Sequence, residues 1–168
     1  MKPYLVSYYS VPGRGIVSVD TVCIGNPASE QEDLLRQINQ RFPGNGRDAQ
    51  LLGSYIEDRD DPEAAPVDLR PGSTVRQIFE SVDVEGKLES VRKVGYCVFS
   101  GGPHDIYLTL DVAEGRVFLQ LKPRLRGGGS SIKFRGDGIQ PQTSVEQLKD
   151  TIKSILGSEA TDIKLNIV

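Results

Sequence analysis

The 168-residue chain contains no tryptophan, one methionine, one histidine (His104) and two cysteines (Cys23 and Cys97). Each shortage removes a class of function. Two thiols and one imidazole cannot close a four-ligand zinc site without carboxylates, so no metal site is expected. Each cysteine lies inside an apolar, strand-like run, which reads as a reduced buried thiol rather than half of a disulfide. Apolar runs are short, and none approaches the roughly 18 residues that a membrane span needs. The opening Lys2-Pro3-Tyr4-Leu5-Val6-Ser7-Tyr8-Tyr9 is too polar to serve as a secretory leader. A cytoplasmic protein without a cofactor is the expectation.

The patterns of nucleotide and calcium sites are also missing. Gly13-Arg14-Gly15 lacks the third glycine and the following helix of a dinucleotide fingerprint. Gly127-Gly128-Gly129-Ser130-Ser131 has no lysine in the phosphate-loop position. Asp58, Asp60 and Asp61 lack the glycine and distal glutamate of a calcium loop. His104 and Cys97 could meet as an imidazole–thiol pair across the mouth of a hairpin. However, Cys97 stands between Tyr96 and Val98, where a thiol is ordinarily inert filler. No catalytic residue is assigned, and the chain is read as a non-enzyme.

What is present is a well-specified α+β scaffold. Over 105–122, Ile106, Leu108, Leu110 and Val112 alternate with polar residues, and Val117, Leu119 and Leu121 repeat the pattern after a short connection. This period of two predicts a central antiparallel hairpin with one face on a core. Strands are also predicted over 4–9, 16–24, 49–56, 91–99, 131–135 and 162–168, with Gly95 as a bulge or close-approach point. In the first strand Leu5 and Val6 are adjacent apolar residues, which suggests burial on both faces. Three capping-box patterns mark helices: Ser29 to Glu32, Thr74 to Gln77 and Thr143 to Glu146. In the last of these helices Val145, Leu148, Ile152 and Ile155 form the buried stripe, with Gly157 at the C-cap. No internal repeat of useful period is visible.

The expected organisation is an N-terminal ββαβ unit over 1–56, packed with a C-terminal antiparallel sheet over 73–168 that carries two helices. Between them 57–72 reads as an acidic, proline-rich linker, since charge repulsion and proline stiffness both oppose a packed fold. Its first twelve residues hold Glu57, Asp58, Asp60, Asp61, Glu63 and Asp68 against Arg59 alone. The opposite holds over 116–135, where Arg116, Lys122, Arg124, Arg126, Lys133 and Arg135 meet no acid. A net charge of −3 gives no general attraction to nucleic acid, so this asymmetry is local.

The segment Leu119-Gln120-Leu121-Lys122-Pro123-Arg124-Leu125-Arg126-Gly127-Gly128 resembles the tail of ubiquitin-like modifiers. That resemblance implies processing after Gly128 and use of the diglycine by activating enzymes. The chain departs from that family in two ways: forty residues follow the diglycine, and those before it lack the ββαββ order.

The leading expectation is a small acidic protein that binds a protein partner through loops and sheet edges, as an inhibitor, immunity-type protein or regulatory adaptor would. Its contact residues would be Arg124, Arg126, Lys133, Arg135, Asp58, Asp60 and Asp61. The acidic group suits a basic partner by steering its approach. The first alternative is a nucleic-acid or phosphate binder using the basic loop 122–135, where arginine supplies forked donors. The second is the modifier precursor.

Overall fold

A computed structural model describes residues 2–42, 47–59, 66–80, 85–86, 88–124 and 130–168. The protein is sheet-rich α+β. Its elements run β1 (Lys2–Val11), β2 (Gly15–Val22), α1 (Pro27–Arg41), β3 (Gln50–Arg59), α2 (Val75–Glu80), β4 (Glu89–Phe99), β5 (Gly102–Asp111), β6 (Arg116–Pro123), β7 (Ser131–Ile139), α3 (Val145–Leu156) and β8 (Ala160–Leu165). The eight strands form one antiparallel sheet in the order β3-β1-β2-β7-β6-β5-β4-β8. No helix among the described residues is long and apolar enough to cross a membrane.

Alternation decides which face carries the helices. Leu5, Tyr9, Val17, Val19, Phe134, Ile132, Leu119, Leu121, Ile106, Leu108, Cys97 and Phe99 share one face through the strand registers. They form a single cluster with Leu34 and Ile38 of α1, Phe79 of α2, and Leu148 and Ile152 of α3, so all three helices cover that face. Phe42, just beyond α1, packs on Phe99 and Phe134 with ring centroids 5.8 and 6.0 Å apart. Aromatic pairs of this geometry contribute about 0.5–1.5 kcal/mol beyond their buried area. They tie the first helix to strands from the second half of the chain.

The central hairpin pairs in the expected register, with Ile106 opposite Leu121, Leu108 opposite Leu119 and Leu110 opposite Val117. Leu5 and Val6 are both buried, as their adjacency suggested. Gly95 fulfils both of its expected roles. The β4–β5 register shifts between Lys93 and Gly95, and a Cβ there would lie 2.2 Å from the Lys164 carbonyl oxygen. Strand β7 is longer than alternation alone suggested, because Gly136 lets the chain continue past Arg135 beneath the β1–β2 turn. A Cβ at Gly136 would meet the Ile16 nitrogen at 2.9 Å.

The caps differ from expectation by small shifts. The N-cap of α1 is Asn26, whose side chain accepts from the Ala28 amide at 2.9 Å, rather than Ser29. Glu30 turns back instead to accept the Ile24 and Gly25 amides at 3.0 and 3.1 Å. The N-cap of α3 is Ser144, accepting from the Gln147 amide, one residue later than the pattern placed it. At the other end Gly157 caps α3 with φ of 72°.

A short repeat, invisible as a long-period signal, also emerges. Pro71-Gly72-Ser73-Thr74-Val75-Arg76-Gln77-Ile78 and Pro141-Gln142-Thr143-Ser144-Val145-Glu146-Gln147-Leu148 correspond position by position. The two segments pair with near two-fold symmetry. The Val75 amide donates to the Thr143 carbonyl and the Val145 amide to the Ser73 carbonyl, each at 2.9 Å. Each helix start thereby occupies amide donors that its own helix leaves unpaired.

Candidate functional site

The basic stretch leads to the sheet face opposite the helices. Lys133 and Arg135 alternate onto that face from β7, where Phe118 and Gln120 of β6, Thr109 of β5, Ser18 and Asp20 of β2, and Tyr8 of β1 join them. The Lys133 side chain is only 4% exposed, and its Nζ donates to Glu89 Oε1 at 2.8 Å. Glu89 lies at the start of β4, three strands away in the sheet. Flat strands about 4.8 Å apart would hold the two too far apart for this contact, so the sheet coils and this face is concave along that diagonal.

Arg135 is held as firmly. Its Nε donates to Ser18 Oγ at 3.2 Å, its Nη2 lies 3.6 Å from Glu89, and its guanidinium stacks 5.3 Å from the Tyr8 ring centroid and 5.7 Å from that of Phe118. Gln120 accepts from Thr109 Oγ1 at 2.8 Å and donates to Ser131 Oγ at 3.0 Å. Arg124, just beyond β6, donates to Asp105 at 2.6 Å and lies 4.9 Å over Tyr96. Lys93 shares the same carboxylate at 3.4 Å. Cations that met no acid in their own segment therefore meet Glu89 and Asp105 from other strands.

Asp58 lies exposed on β3, opposite Pro3. Arg126, Asp60 and Asp61 lie outside the described residues, as do Gly127 and Gly128 of the modifier-like tail. The chain after that tail supplies β7 in the middle of the sheet, together with α3 and β8.

Cys97 and His104 stand directly opposite one another on β4 and β5, facing the core. Burial pushes the Cys97 thiol up to about 11, and thiolate is the nucleophilic form. Burial also lowers the His104 pKa, with the Arg41 charge adding to that effect, against opposing contributions from the Gly102 carbonyl and Asp105. His104 Nδ1 pairs with the Gly102 carbonyl at 2.8 Å, while Nε2 is buried without a partner. Both groups are thus held neutral. Among the described residues, no group of three or more His, Cys, Asp or Glu side chains is arranged to hold a metal ion.

The surface that sequence reasoning missed is strand β3. It ends the sheet, so among the described residues its outer backbone edge has no neighbouring strand. Leu51, Leu52, Tyr55 and Ile56 on it are 40%, 56%, 46% and 48% exposed, too much for ordinary core residues. Tyr55 stacks on Tyr8 at 6.3 Å, and its hydroxyl is held protonated first by burial, then by Tyr8, Glu57 and Asp20. The available signal was the pairing of apolar residues, Leu51-Leu52 and Tyr55-Ile56, which places apolar groups on both faces where a half-buried strand would alternate. Comparison with protein-family models, with curated proteins and with solved structures finds no match to this chain.

Proposed function

We propose that this is a non-catalytic, cytoplasmic protein-binding protein, an inhibitor, immunity-type protein or adaptor. In this reading strand β3 accepts an extended, basic segment of its partner as an added strand. The carrying observation is the ten-residue β3 edge with four large, exposed apolar side chains. Strand addition of this kind draws affinity from main-chain hydrogen bonds and specificity from alternate side chains. Glu57 and Asp58 at the end of β3, followed by the acids of 60–68, favour lysine or arginine in the incoming segment. The same reading keeps 1–56 and 73–168 as two cooperating units, a ββαβ unit and a sheet with two helices, with the partner seated on the first.

The test is a ten-residue peptide of alternating valine and lysine, titrated into the whole protein while backbone amides are followed by NMR. Saturable shifts confined to β3 and β1, weakened severalfold in a Glu57→Lys, Asp58→Lys variant, would support the reading. Absence of binding, or shifts centred on Arg124 and Arg135, would overturn it.

A further inference from the structure

We infer that a cavity between α2, the 66–70 segment and β4 is a binding site for a small organic anion, held through Arg70 and Arg92. The cavity has a volume of about 460 Å³ and is lined by Val67, Asp68, Leu69, Arg70, Ser73, Gln77, Ile78 and Arg92. This site is distinct from the β3 edge and from the basic face of β7.

Arg92 carries the argument. It stands opposite Leu108 on the helix-covered face of the sheet, half-buried, where a guanidinium normally finds a carboxylate. Its Nε is buried without a hydrogen-bond partner, and its Nη donors, which line the cavity, have none among the described residues either. Buried N–H donors are rarely left so, because the lost hydration is not recovered.

The cavity's other polar groups indicate what is missing. Arg70 is the second arginine of the lining. Gln77 spends its carbonyl oxygen on the Thr74 amide at 2.7 Å, which leaves its NH₂ donors for a ligand. Ser73 donates its hydroxyl proton to the Arg70 carbonyl. The backbone amides of Val67 and Leu69 are already engaged, with the Lys93 and Asn166 carbonyls at 2.9 and 2.7 Å. The unused groups are therefore mostly donors, and two positive charges face the single negative charge of Asp68.

Val67, Leu69 and Ile78 add an apolar wall, which suits a ligand with a carbon skeleton as well as a charged end. A carboxylate or a phosphate fits the forked donors equally, since arginine binds either in a bidentate manner.

The Arg92 Nε–Hε resonance of the whole protein, followed by NMR, reads this site directly. Sodium phosphate and sodium acetate are titrated separately, with ionic strength held constant by sodium chloride. A saturable shift with either anion supports the site, and the stronger of the two indicates a phosphorylated ligand or a carboxylic acid. Arg70→Gln should weaken binding about tenfold, the loss of one charge-assisted contact. Asp68→Asn should tighten it severalfold by removing the opposing charge. No saturable shift from either anion, or a shift that chloride alone reproduces, would overturn the inference. So would equal affinities in the wild type and both variants.

Discussion

The two edges of the sheet are built to opposite specifications. Strand β8 has six residues and an irregular pairing with β4, whose register shifts between Tyr96 and Val98. Asp162 within it adopts φ of 52°, a left-handed conformation that interrupts a regular ladder. The chain leaving β8 is paired in turn: the Leu69 amide donates to the Asn166 carbonyl at 2.7 Å and the Val168 amide to the Leu69 carbonyl at 3.0 Å. Shortness, irregularity and a covering segment are the usual protections of an edge against unwanted strand pairing. Strand β3 is ten residues long and carries four large apolar side chains that stay about half exposed. Among the described residues one edge is closed and the other is open, and the proposed strand addition would use the open one.

The sharpest way to break this comparison is to disrupt the closed edge. In Gly95→Val a side chain would be driven into the Lys164 carbonyl oxygen and toward the Leu165 Cα, 2.9 Å from the ideal Cβ position. Both are backbone atoms and cannot swing away. A loss of about 3 kcal/mol is expected, at the upper end of overpacking effects. Urea denaturation measures it, and an unchanged midpoint would mean that β8 does not approach β4 this closely.

Removing residues 166–168 is expected to cost less. It deletes the two contacts with Leu69 and the hydrogen bond from the Asn166 amide to the Val94 carbonyl at 2.8 Å. At roughly 0.5–1 kcal/mol for each bond, the lower half of the usual range because a chain end frays, the total should be about 1.5–3 kcal/mol. The truncated protein should also self-associate in sedimentation experiments, because the backbone groups of Leu69 and the Val94 carbonyl lose their partners and become available for strand pairing.

A milder probe is pH. His104 is the only histidine, and it lies on β5 directly opposite Cys97 of β4. Burial lowers its pKa in the folded protein, so the unfolded chain binds the proton more readily. Its contribution to stability is complete above about pH 6.5, the ordinary histidine value. That contribution falls as pH drops below this value and is lost through the folded pKa. Denaturation midpoints should therefore decrease between pH 7 and pH 5, and His104→Gln should flatten that dependence. An equal slope in the variant would place the acid sensitivity elsewhere.

The parts of this architecture that were legible in the sequence are those fixed by local alternation. Ile106, Leu108, Leu119 and Leu121 alternate strictly and pair in register, and the stripe Val145, Leu148, Ile152 and Ile155 is buried as its spacing required. Gly95 was legible as a departure from the pattern. Charge was not, because an ion pair depends on which strands become neighbours. Lys133 and Glu89 lie far apart in the chain and meet only after the sheet has formed and coiled. The helix starts mislead for a related reason. Asn26 and Ser29 both offer a capping oxygen, and Pro27, already suited to the first turn of a helix, decides for the earlier one. The identity of an edge strand is likewise a property of the whole sheet order, so β3 could be recognised as a strand but not as an uncovered one.

The smallest expected change in stability belongs to the open edge, and it is the most informative. Leu52 is more than half exposed on β3, in the stretch where the register with β1 shifts between Tyr8 and Tyr9. A lysine there would lose little buried area, and surface substitutions of this kind usually stay within about 0.5 kcal/mol. If β3 is a working surface, Leu52→Lys should leave the urea midpoint unchanged while the alternating valine–lysine peptide binds markedly less well, since a charge now stands where an apolar contact and a cationic partner are expected. Folding and binding would then separate at a single side chain. A variant that lost stability along with binding would instead assign Leu52 to the packing of the protein, and the contrast between the two edges would disappear.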